Sequence, residues 1–207
     1  MEIVVQPSYF PCIAQMAACA QATTVIFEVC DNYQKQTYRN RARIAHANGR
    51  LQLNVPIQHS RDGRRQKTAE VAPDNNFPWQ SQHWKSLQSA YRTSPFFEFY
   101  EDDLAPLFKK RVNKLLSHHL EIYEVLCELI GMEGSYEQTT TYQKEIEPVD
   151  LRHWVRGKKE RSYALAPYTQ VLEEKHGYLE NLSVLDLLFN EGPNALSYLE
   201  RQQLSWA

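Results

Sequence analysis

Polar side chains follow two short apolar runs near the start of the chain, at residues 3–6 and 25–30. Gln6 and Tyr9 come at the end of the first run, and Asp31 follows the second. If these runs are neighbouring parallel strands, the side chains meet at the carboxyl edge of a sheet, where α/β proteins bind ligands. A carboxylate there could bind sugar hydroxyls, hold Mg²⁺ or accept a proton from an amine. A second interpretation stays open, in which Asp31 only begins a turn.

Basic residues are concentrated in two segments, although the whole chain has a net charge of -2. Residues 32–67 contain nine Lys and Arg residues against one acidic residue, and include the alternating Arg39, Arg41 and Arg43. Arginine binds phosphate or carboxylate through paired hydrogen bonds, so we expect anion binding on one strand face. The alternative is a solvated face, the usual fate of a charge run. The basic residues of the second segment are Arg152, Arg156, Lys158, Lys159 and Arg161. This segment could bind the same anionic ligand as the first, and His153 within it is a weaker candidate for ligand binding.

His83 lies in an apolar stripe of helical spacing together with Trp79 and Tyr91. By pattern alone such a histidine is typical of a hydrogen-bonded core residue, whereas in a site it would suit deprotonation of an amino acid's ammonium group. His118 and His119 are adjacent, so on a helix they diverge by about 100° and form a poor metal pair. No His, Cys, Asp or Glu cluster has a metal-ligand spacing, so we predict no metal site.

The composition is that of a globular protein, with 43% hydrophobic and 23% charged residues in a chain of 207. We expect one domain over residues 1–207. The four cysteines form no C-x-x-C pair, which indicates a reducing cytosol. A leader pattern is absent and no apolar run approaches about 20 residues, so we expect a cytoplasmic protein without a membrane span. The balanced charge argues against nucleic-acid binding.

Hydrophobic periodicity predicts an α/β fold in which an N-terminal β-α-β unit is followed by a mainly α-helical C-terminal half. The unit comprises a strand at 3–6, a helix at 11–21 and a strand at 25–30. Asn48-Gly49 is a tight-turn dipeptide, so we expect a hairpin that extends the sheet. The sheet-rich part then covers approximately residues 1–77 and the helical part 78–207. In the sheet-rich part we further predict hairpin strands at 42–47 and 51–57 and a short strand at 68–71. In the helical part we predict a helix from Trp79 that Pro95 stops, one or two helices over 104–130, a loop at 139–161 and a helix capped by Ser183.

Four ordered segments carry a family resemblance. The first is Gln6-Pro7-x-Tyr9-Phe10-Pro11, and the second joins Asp31 to Tyr38-Arg39-Asn40-Arg41-x-Arg43-Ile44. The third combines Trp79-x3-His83 with Tyr91-x3-Pro95-x-Phe97, and the last is Asn181-Leu182-Ser183-x2-Asp186-Leu187-Leu188-x2-Glu191-Gly192-Pro193. In this order they resemble the WbqC-like family of bacterial proteins over nearly the whole chain.

Members of this family are found among genes for O-antigen and other surface polysaccharides, and a glycine-transferring activity has been suggested for them. The resemblance therefore implies a role in the synthesis of such polysaccharides. Members often carry His at the position of Gln6. A glutamine cannot titrate, so Gln6 can only orient or hydrogen-bond a ligand.

We therefore expect a cytoplasmic transferase or ATP-using ligase that acts on an anionic substrate such as a nucleotide-linked amino sugar, adding glycine or another acyl group. ATP and Mg²⁺ are candidate cofactors. A non-catalytic binding or assembly protein of the same pathway is the alternative, because the chain shows no nucleophile–base pair, P-loop or metal cluster; a nucleic-acid-binding protein is a minor one. The candidate catalytic residues are Asp31 and His83, and the candidate substrate-binding residues are Gln6, Tyr9, Tyr38, Arg39, Asn40, Arg41, Arg43 and Tyr91.

Overall fold

A computed structural model describes residues 1–58, 60, 63–156 and 163–206. Its β-strands are β1 (Glu2–Val5), β2 (Thr24–Phe27), β3 (Arg41–His46), β4 (Gly49–Asn54), β5 (Glu137–Gln138) and β6 (Val149–Asp150). Its α-helices are α1 (Ile13–Gln21), α2 (Trp79–Tyr91), α3 (Phe97–Leu104), α4 (Pro106–Lys109), α5 (Leu115–Ile130), α6 (Glu173–His176), α7 (Val184–Glu191) and α8 (Ala195–Glu200). Short 3₁₀ helices occur at Thr68–Glu70, Arg152–Val155 and Gly192–Asn194. The predicted α/β class is confirmed, since the N-terminal strands lead into a mainly helical C-terminal half.

A four-stranded parallel sheet organises the molecule, in the order β5-β2-β1-β6. β1 and β2 pair in parallel with Val5 opposite Phe27, and α1 connects them as the predicted β-α-β unit. The outer strands β6 and β5 pair in parallel with β1 and β2 respectively. Both outer strands come from the stretch between α5 and residue 150, much of which the sequence analysis assigned to a loop.

The two faces of this sheet are covered differently. Ile3, Val5 and Phe27 are buried in the core that the helices share. Helix α1 is buried from Ile13 through Cys19, because α8 packs against it as well as the sheet. The opposite face, which includes Val4 and Ile26, borders a cavity of about 820 Å³ formed with the polar segment 137–148. Parallel sheets are usually covered by helices on both faces, so an extended segment here takes the place of one helical layer.

The hairpin is present but does not extend the parallel sheet, so this part of the prediction is wrong. β3 and β4 form a separate antiparallel pair that runs from Arg41 opposite Asn54 to His46 opposite Gly49. Gly49 has a φ of +100°, a conformation that favours glycine in a tight turn. The physical reason is that the helical half occupies the outer edge of β3. The carbonyl oxygen of Arg43 accepts from the Ser183 amide at 2.7 Å, and the Ala45 amide donates to the Tyr91 hydroxyl at 3.0 Å.

One other local prediction is wrong and two are confirmed. Residues 68–70 form a 3₁₀ helix rather than a strand. The stretch 104–130 divides into α4 and α5, and α5 ends at Gly131 with a φ of +79°. Ser183 caps α7 as predicted, because its side chain accepts a hydrogen bond from the Leu185 amide at 3.3 Å. Within the described residues, no helix has both the length and the apolar character needed to cross a membrane.

Candidate functional site

The carboxyl ends of the four parallel strands bring polar residues to one edge of the sheet. Gln6 follows β1, Glu28 follows β2, Thr139 follows β5 and Arg152 lies two residues beyond β6. Because the strands are parallel, all of these positions lie at the same edge, as open α/β sheets require of a ligand site.

A buried ion pair between Asp31 and Arg39 forms the centre of this edge. The Nη2 atom of Arg39 lies 2.6 Å from Oδ2 of Asp31, and the two side chains are 2% and 8% exposed. Thr68 donates its hydroxyl to Oδ1 of Asp31 at 2.5 Å, and Gln6 donates its amide Nε2 to Oδ2 at 3.1 Å. The carboxylate thus accepts hydrogen bonds on both oxygens, and it fixes the orientations of Arg39 and Gln6.

Two polar atoms of this cluster are buried without a partner in the described structure. Since Nε2 of Gln6 donates to Asp31, its amide oxygen Oε1 points elsewhere and accepts no hydrogen bond. The Nε of Arg39 likewise makes no hydrogen bond. Gln6 and Arg39 are only 3% and 2% exposed. Buried polar atoms are nearly always paired, so an unpaired acceptor and an unpaired donor on two side chains that share the Asp31 carboxylate indicate a ligand or ordered water.

A second ion-pair system lies beside the first. Arg152 contacts Glu28 at 3.2 Å and Asp150 at 2.6 Å, and it donates to the backbone carbonyl oxygens of Gln143 at 2.7 Å and Lys144 at 3.1 Å. These bonds attach the segment 143–150 to the end of β2. Hydrogen bonds from Arg152 lower the pKa of the Asp150 carboxyl.

These groups line a cleft of about 150 Å³ that we call the basic cleft. Its cationic side chains are Arg39, Lys144, Arg152 and Arg156, and His153, Gln6, Asp31, Gln34, Tyr142, Asp150 and Val155 complete its wall. The structure therefore brings Arg39 of the first basic segment together with Arg152 and Arg156 of the second. Arg61, Lys158, Lys159 and Arg161 lie outside the described residues.

A neighbouring cavity of about 460 Å³ shares Asp31, Gln34 and Tyr142 with the basic cleft. It adds Arg65 and Lys67 as cations and the phenol ring of Tyr33. Within the described wall of both spaces, every carboxylate has an arginine partner: Asp31 binds Arg39, and Asp150 binds Arg152. Carboxylates committed in this way are poor ligands for Mg²⁺, and the arrangement suits an anion better.

His83 does not line the basic cleft with Asp31. Its Nδ1 lies 2.8 Å from the hydroxyl of Tyr9, and its ring packs 5.5 Å from that of Trp79. His83 is 6% exposed, and burial lowers its pKa to about 4, so the ring is neutral at pH 7. Tyr9 is fully buried beside it. The structure places this pair in the core, and neither residue lines the basic cleft.

Tyr91 also lies in the core and not in the basic cleft. Its hydroxyl donates to Oδ1 of Asp186 at 2.7 Å and accepts from the Ala45 amide at 3.0 Å. Tyr168 and Gln170 donate to the other oxygen of Asp186 at 2.5 and 3.3 Å. Burial raises the pKa of Asp186 to about 6. These bonds connect β3, α2 and α7, so Tyr91 holds the scaffold behind the hairpin.

Among Arg39, Arg41 and Arg43, only Arg39 lines the described basic cleft. Arg39 precedes β3 and turns towards Asp31, so the three arginines do not share one strand face. The guanidinium of Arg43 lies 5.5 Å from the ring centre of Tyr38. Tyr38 positions the cleft through its backbone, because its amide donates to Val155 and its carbonyl accepts from Tyr9.

Asn40 fixes the base of the hairpin. Its side-chain amide donates to the carbonyl oxygen of Val55 at 3.1 Å, and its own carbonyl accepts from the Val55 amide at 2.8 Å. Asn40 therefore lies outside the basic cleft, and it holds the start of β3 next to Arg39.

The sequence analysis did not single out Glu28, Lys144 or Thr68, which build or line the site. Glu28 carried a usable signal, since a charged residue near the end of an otherwise apolar run marks the carboxyl end of a strand. Lys144 and Thr68 carried none, because one lies in an irregular segment and the other in a single 3₁₀ turn, and the positions of both depend on tertiary contacts. In the part of the chain that the structure describes, no group of three His, Cys, Asp or Glu residues is placed to hold a metal ion.

The fold and this site define a class: an α/β protein whose parallel sheet ends in a cleft built from two arginine–carboxylate systems. The profile of the WbqC-like protein family matches residues 6–156, and the chain belongs to that family. The matched region begins at Gln6 and ends at Arg156, both of which line the basic cleft.

A curated relative is the uncharacterised protein Rv1507c of Mycobacterium tuberculosis (strain ATCC 25618 / H37Rv). It is 25% identical over 224 residues, which cover 95% of this chain and 96% of that protein. No solved structure matches the chain.

Proposed function

We propose that the basic cleft binds a phosphate-bearing small molecule, such as a nucleotide-linked sugar, and that the protein transfers a group to or from it. The observation that carries this proposal is two unpaired buried atoms, Oε1 of Gln6 and Nε of Arg39, on side chains that both bind the Asp31 carboxylate. The first needs a donor and the second needs an acceptor. A ligand with both a hydroxyl or amine and an anionic oxygen satisfies the two atoms together.

The surrounding charges favour the same ligand. Arg39 and Arg152 are held by carboxylates, whereas Lys144 and Arg156 are exposed at the mouth, and the described structure shows no ion pair for either. Their positive charge can compensate a phosphate or pyrophosphate, and the neighbouring cavity adds that of Arg65. With its 460 Å³ the neighbouring cavity also falls in the range of roughly 300–1,000 Å³ typical of small-molecule sites. We place the phosphate groups in the basic cleft and the sugar or base beside Tyr33 and Tyr142.

Asp31 and Gln6 then act as positioning residues. Asp31 orients the guanidinium of Arg39 and the amide of Gln6 without itself having a free oxygen for substrate. Such fixed donors contribute to catalysis by being in place before the reaction. If the reaction is amide formation, as the transferase or ATP-using ligase hypothesis requires, the acceptor amine must lose a proton. His153 is exposed in the cleft, and a neutral imidazole nitrogen can accept a proton, so we assign it as the acceptor of that proton.

A non-catalytic binding or assembly role is the second candidate. It is favoured by the full commitment of Asp31 to Arg39 and Thr68, and by the position of His83 in the core. The two candidates differ in turnover and not in ligand binding. A transferase loses turnover in His153→Asn while it keeps ligand affinity, whereas a binding protein shows no turnover with any acyl donor or nucleotide sugar.

A thermal-shift series with pyrophosphate, nucleoside diphosphates, nucleotide sugars and ATP, each with and without Mg²⁺, tests the proposal. We expect a diphosphate-containing ligand to raise the melting temperature of the protein. The increase should be smaller in Arg156→Ala and unchanged in Lys85→Ala, a control on the outer face of α2. The proposal is wrong if none of these anions stabilises the protein, or if both variants respond alike.

A further inference from the structure

A further cavity, of about 320 Å³, lies at the start of α5 and is separate from the basic cleft. Its wall includes Lys110, Arg111 and Lys114, together with Ser117, His118 and Glu121 of the first two turns of the helix. The two spaces share no lining residue.

The first turn of α5 borders this cavity through Ser117. The helix has sixteen residues, no side-chain cap and no acidic residue in its first turn. The amide of Leu115 donates to the carbonyl oxygen of Val71 at 2.9 Å. The next two amides, of Leu116 and Ser117, belong to the positions for which an α-helix supplies no internal acceptor. Such amides and the helix dipole together attract anions.

His118 supplies an independent sign of a ligand. It lines the cavity and is only 3% exposed, yet neither ring nitrogen has a hydrogen-bond partner in the described structure. One side of the ring packs against Tyr9 and Trp79, with ring centres 6.2 and 6.1 Å apart. Burial lowers the pKa of His118 to about 4, so at pH 7 the neutral ring carries one N–H that can donate to an oxyanion.

The charges around the cavity are positive in balance. Glu121 is the carboxylate in its wall, and Lys110 forms an ion pair with it. The carboxylate lies 3.8 Å from Nδ1 of His118, beyond hydrogen-bond distance. Arg111 and Lys114 remain as the further cations, and the described structure shows no ion pair for either; Lys114 donates to the carbonyl oxygen of Glu70 at 3.2 Å.

We propose that this cavity is a second oxyanion site, in which a phosphate group is bound by the Ser117 amide, the His118 ring and Arg111. Its volume lies at the lower end of the roughly 300–1,000 Å³ seen for small-molecule sites, so it has room for a small organic group attached to the phosphate. The site is independent of the ligand proposed for the basic cleft, and each stands if the other fails.

Inorganic phosphate and ¹⁵N-labelled full-length protein provide the test. We expect phosphate to shift the Ser117 amide resonance with a dissociation constant on the order of 1 mM. In Ser117→Asp a carboxylate occupies the first turn, where it stabilises the helix and competes with phosphate, so binding should weaken by about tenfold without loss of folding. His118→Phe should weaken binding to a similar degree. Lys109→Ala, an exposed lysine outside the cavity, should bind like the wild type.

The proposal is overturned if saturating phosphate leaves the Ser117 amide unshifted. It is also overturned if Ser117→Asp, with its native spectrum otherwise retained, binds phosphate as the wild type does. Shifts confined to Gln6 and His153 would place the ion in the basic cleft alone and would equally contradict a second site.

Discussion

Substitution of Asp31 by Asn tests whether the Asp31–Arg39 pair is a structural anchor of the cleft. The change keeps the shape of the side chain but leaves the Arg39 guanidinium, 2% exposed, without a counter-charge. Removing one partner of a buried ion pair costs about 3–5 kcal/mol, since the remaining charge is still excluded from water. We therefore expect Asp31→Asn to lower the free energy of unfolding by about 4 kcal/mol.

The chain contains a matched control at the same edge of the sheet. Asp150 and Arg152 are also 2.6 Å apart, but the Asp150 side chain is 41% exposed. Arg152 keeps Glu28 as a second carboxylate partner at 3.2 Å, and the Asp150 end of the pair is open to solvent, so Asp150→Asn should cost only about 0–1 kcal/mol. The two ion pairs have the same N–O distance but differ in the exposure of the carboxylate. A larger effect of Asp31→Asn would therefore come from the burial of the pair and not from the contact itself.

Urea unfolding followed by tryptophan fluorescence and by circular dichroism measures both variants. With an m-value of about 2 kcal/mol/M, the midpoint should fall by roughly 2 M in Asp31→Asn and by less than about 0.5 M in Asp150→Asn. Adding Arg39→Met to Asp31→Asn removes the stranded charge and should restore part of the loss. If Asp31→Asn costs no more than Asp150→Asn, the reasoning about the buried pair is refuted.

Three further predictions concern the scaffold. Gly192→Ala should cost about 3 kcal/mol, because the residue has a φ of +51° and an added Cβ would lie 2.6 Å from the Phe96 ring; a melting temperature equal to that of the wild type would contradict this. Ser183→Ala should cost about 1 kcal/mol in urea unfolding through loss of the α7 cap, and Ser183→Thr should retain most of it. Burial lowers the pKa of His118 to about 4 in the folded state, below its unfolded value of 6.5, so the unfolded state binds more protons and the free energy of unfolding falls as the pH falls from 7 towards 4. In His118→Gln, about 2 kcal/mol of the stability lost between pH 7 and pH 5 should no longer be lost. A stability–pH profile equal to that of the wild type would contradict the lowered pKa of His118.

The N-terminal half of the fold was predictable because its signals are local. Short apolar runs joined by a helical stretch indicated β1, α1 and β2, and Asn48-Gly49 indicated the hairpin turn. Ser183 three residues before Asp186 indicated the start of α7. Each of these depends on residues close together in the chain, where periodicity and capping chemistry act directly.

The outer strands of the sheet could not be predicted in this way. β5 and β6 contain two residues each, too few to show any alternation. They are strands because β1 and β2 present unpaired edges to them, which is a property of the assembled sheet. The hairpin is held instead by the helical half, through the bonds of β3 to Ser183 and Tyr91, and this explains the error in its predicted position.

The position of the basic cleft could be predicted from the sequence, but the hydrogen-bond and ion-pair partners within it could not. The carboxyl-edge rule placed Gln6 and Asp31 at the site, and the charge pattern placed Arg39 and the second basic segment near them. That Asp31 binds Arg39 and Thr68 depends on contacts 8 and 37 residues away, and these cannot be read from spacing. The burial of His83 against Tyr9 is likewise a tertiary result, although its apolar stripe had indicated the core as one alternative.

Calorimetric titration of a diphosphate ligand, with pyrophosphate as the first probe, tests the anion-binding cleft most directly. The wild type should bind it with an affinity that falls as salt rises, and the double variant Lys144→Ala/Arg156→Ala should bind at least about tenfold more weakly because two exposed cations of the cleft are removed. A double variant of equal charge outside the cleft, Lys85→Ala/Lys109→Ala, should retain the wild-type affinity. Equal weakening in the two double variants, or no measurable binding by the wild type, would contradict the account.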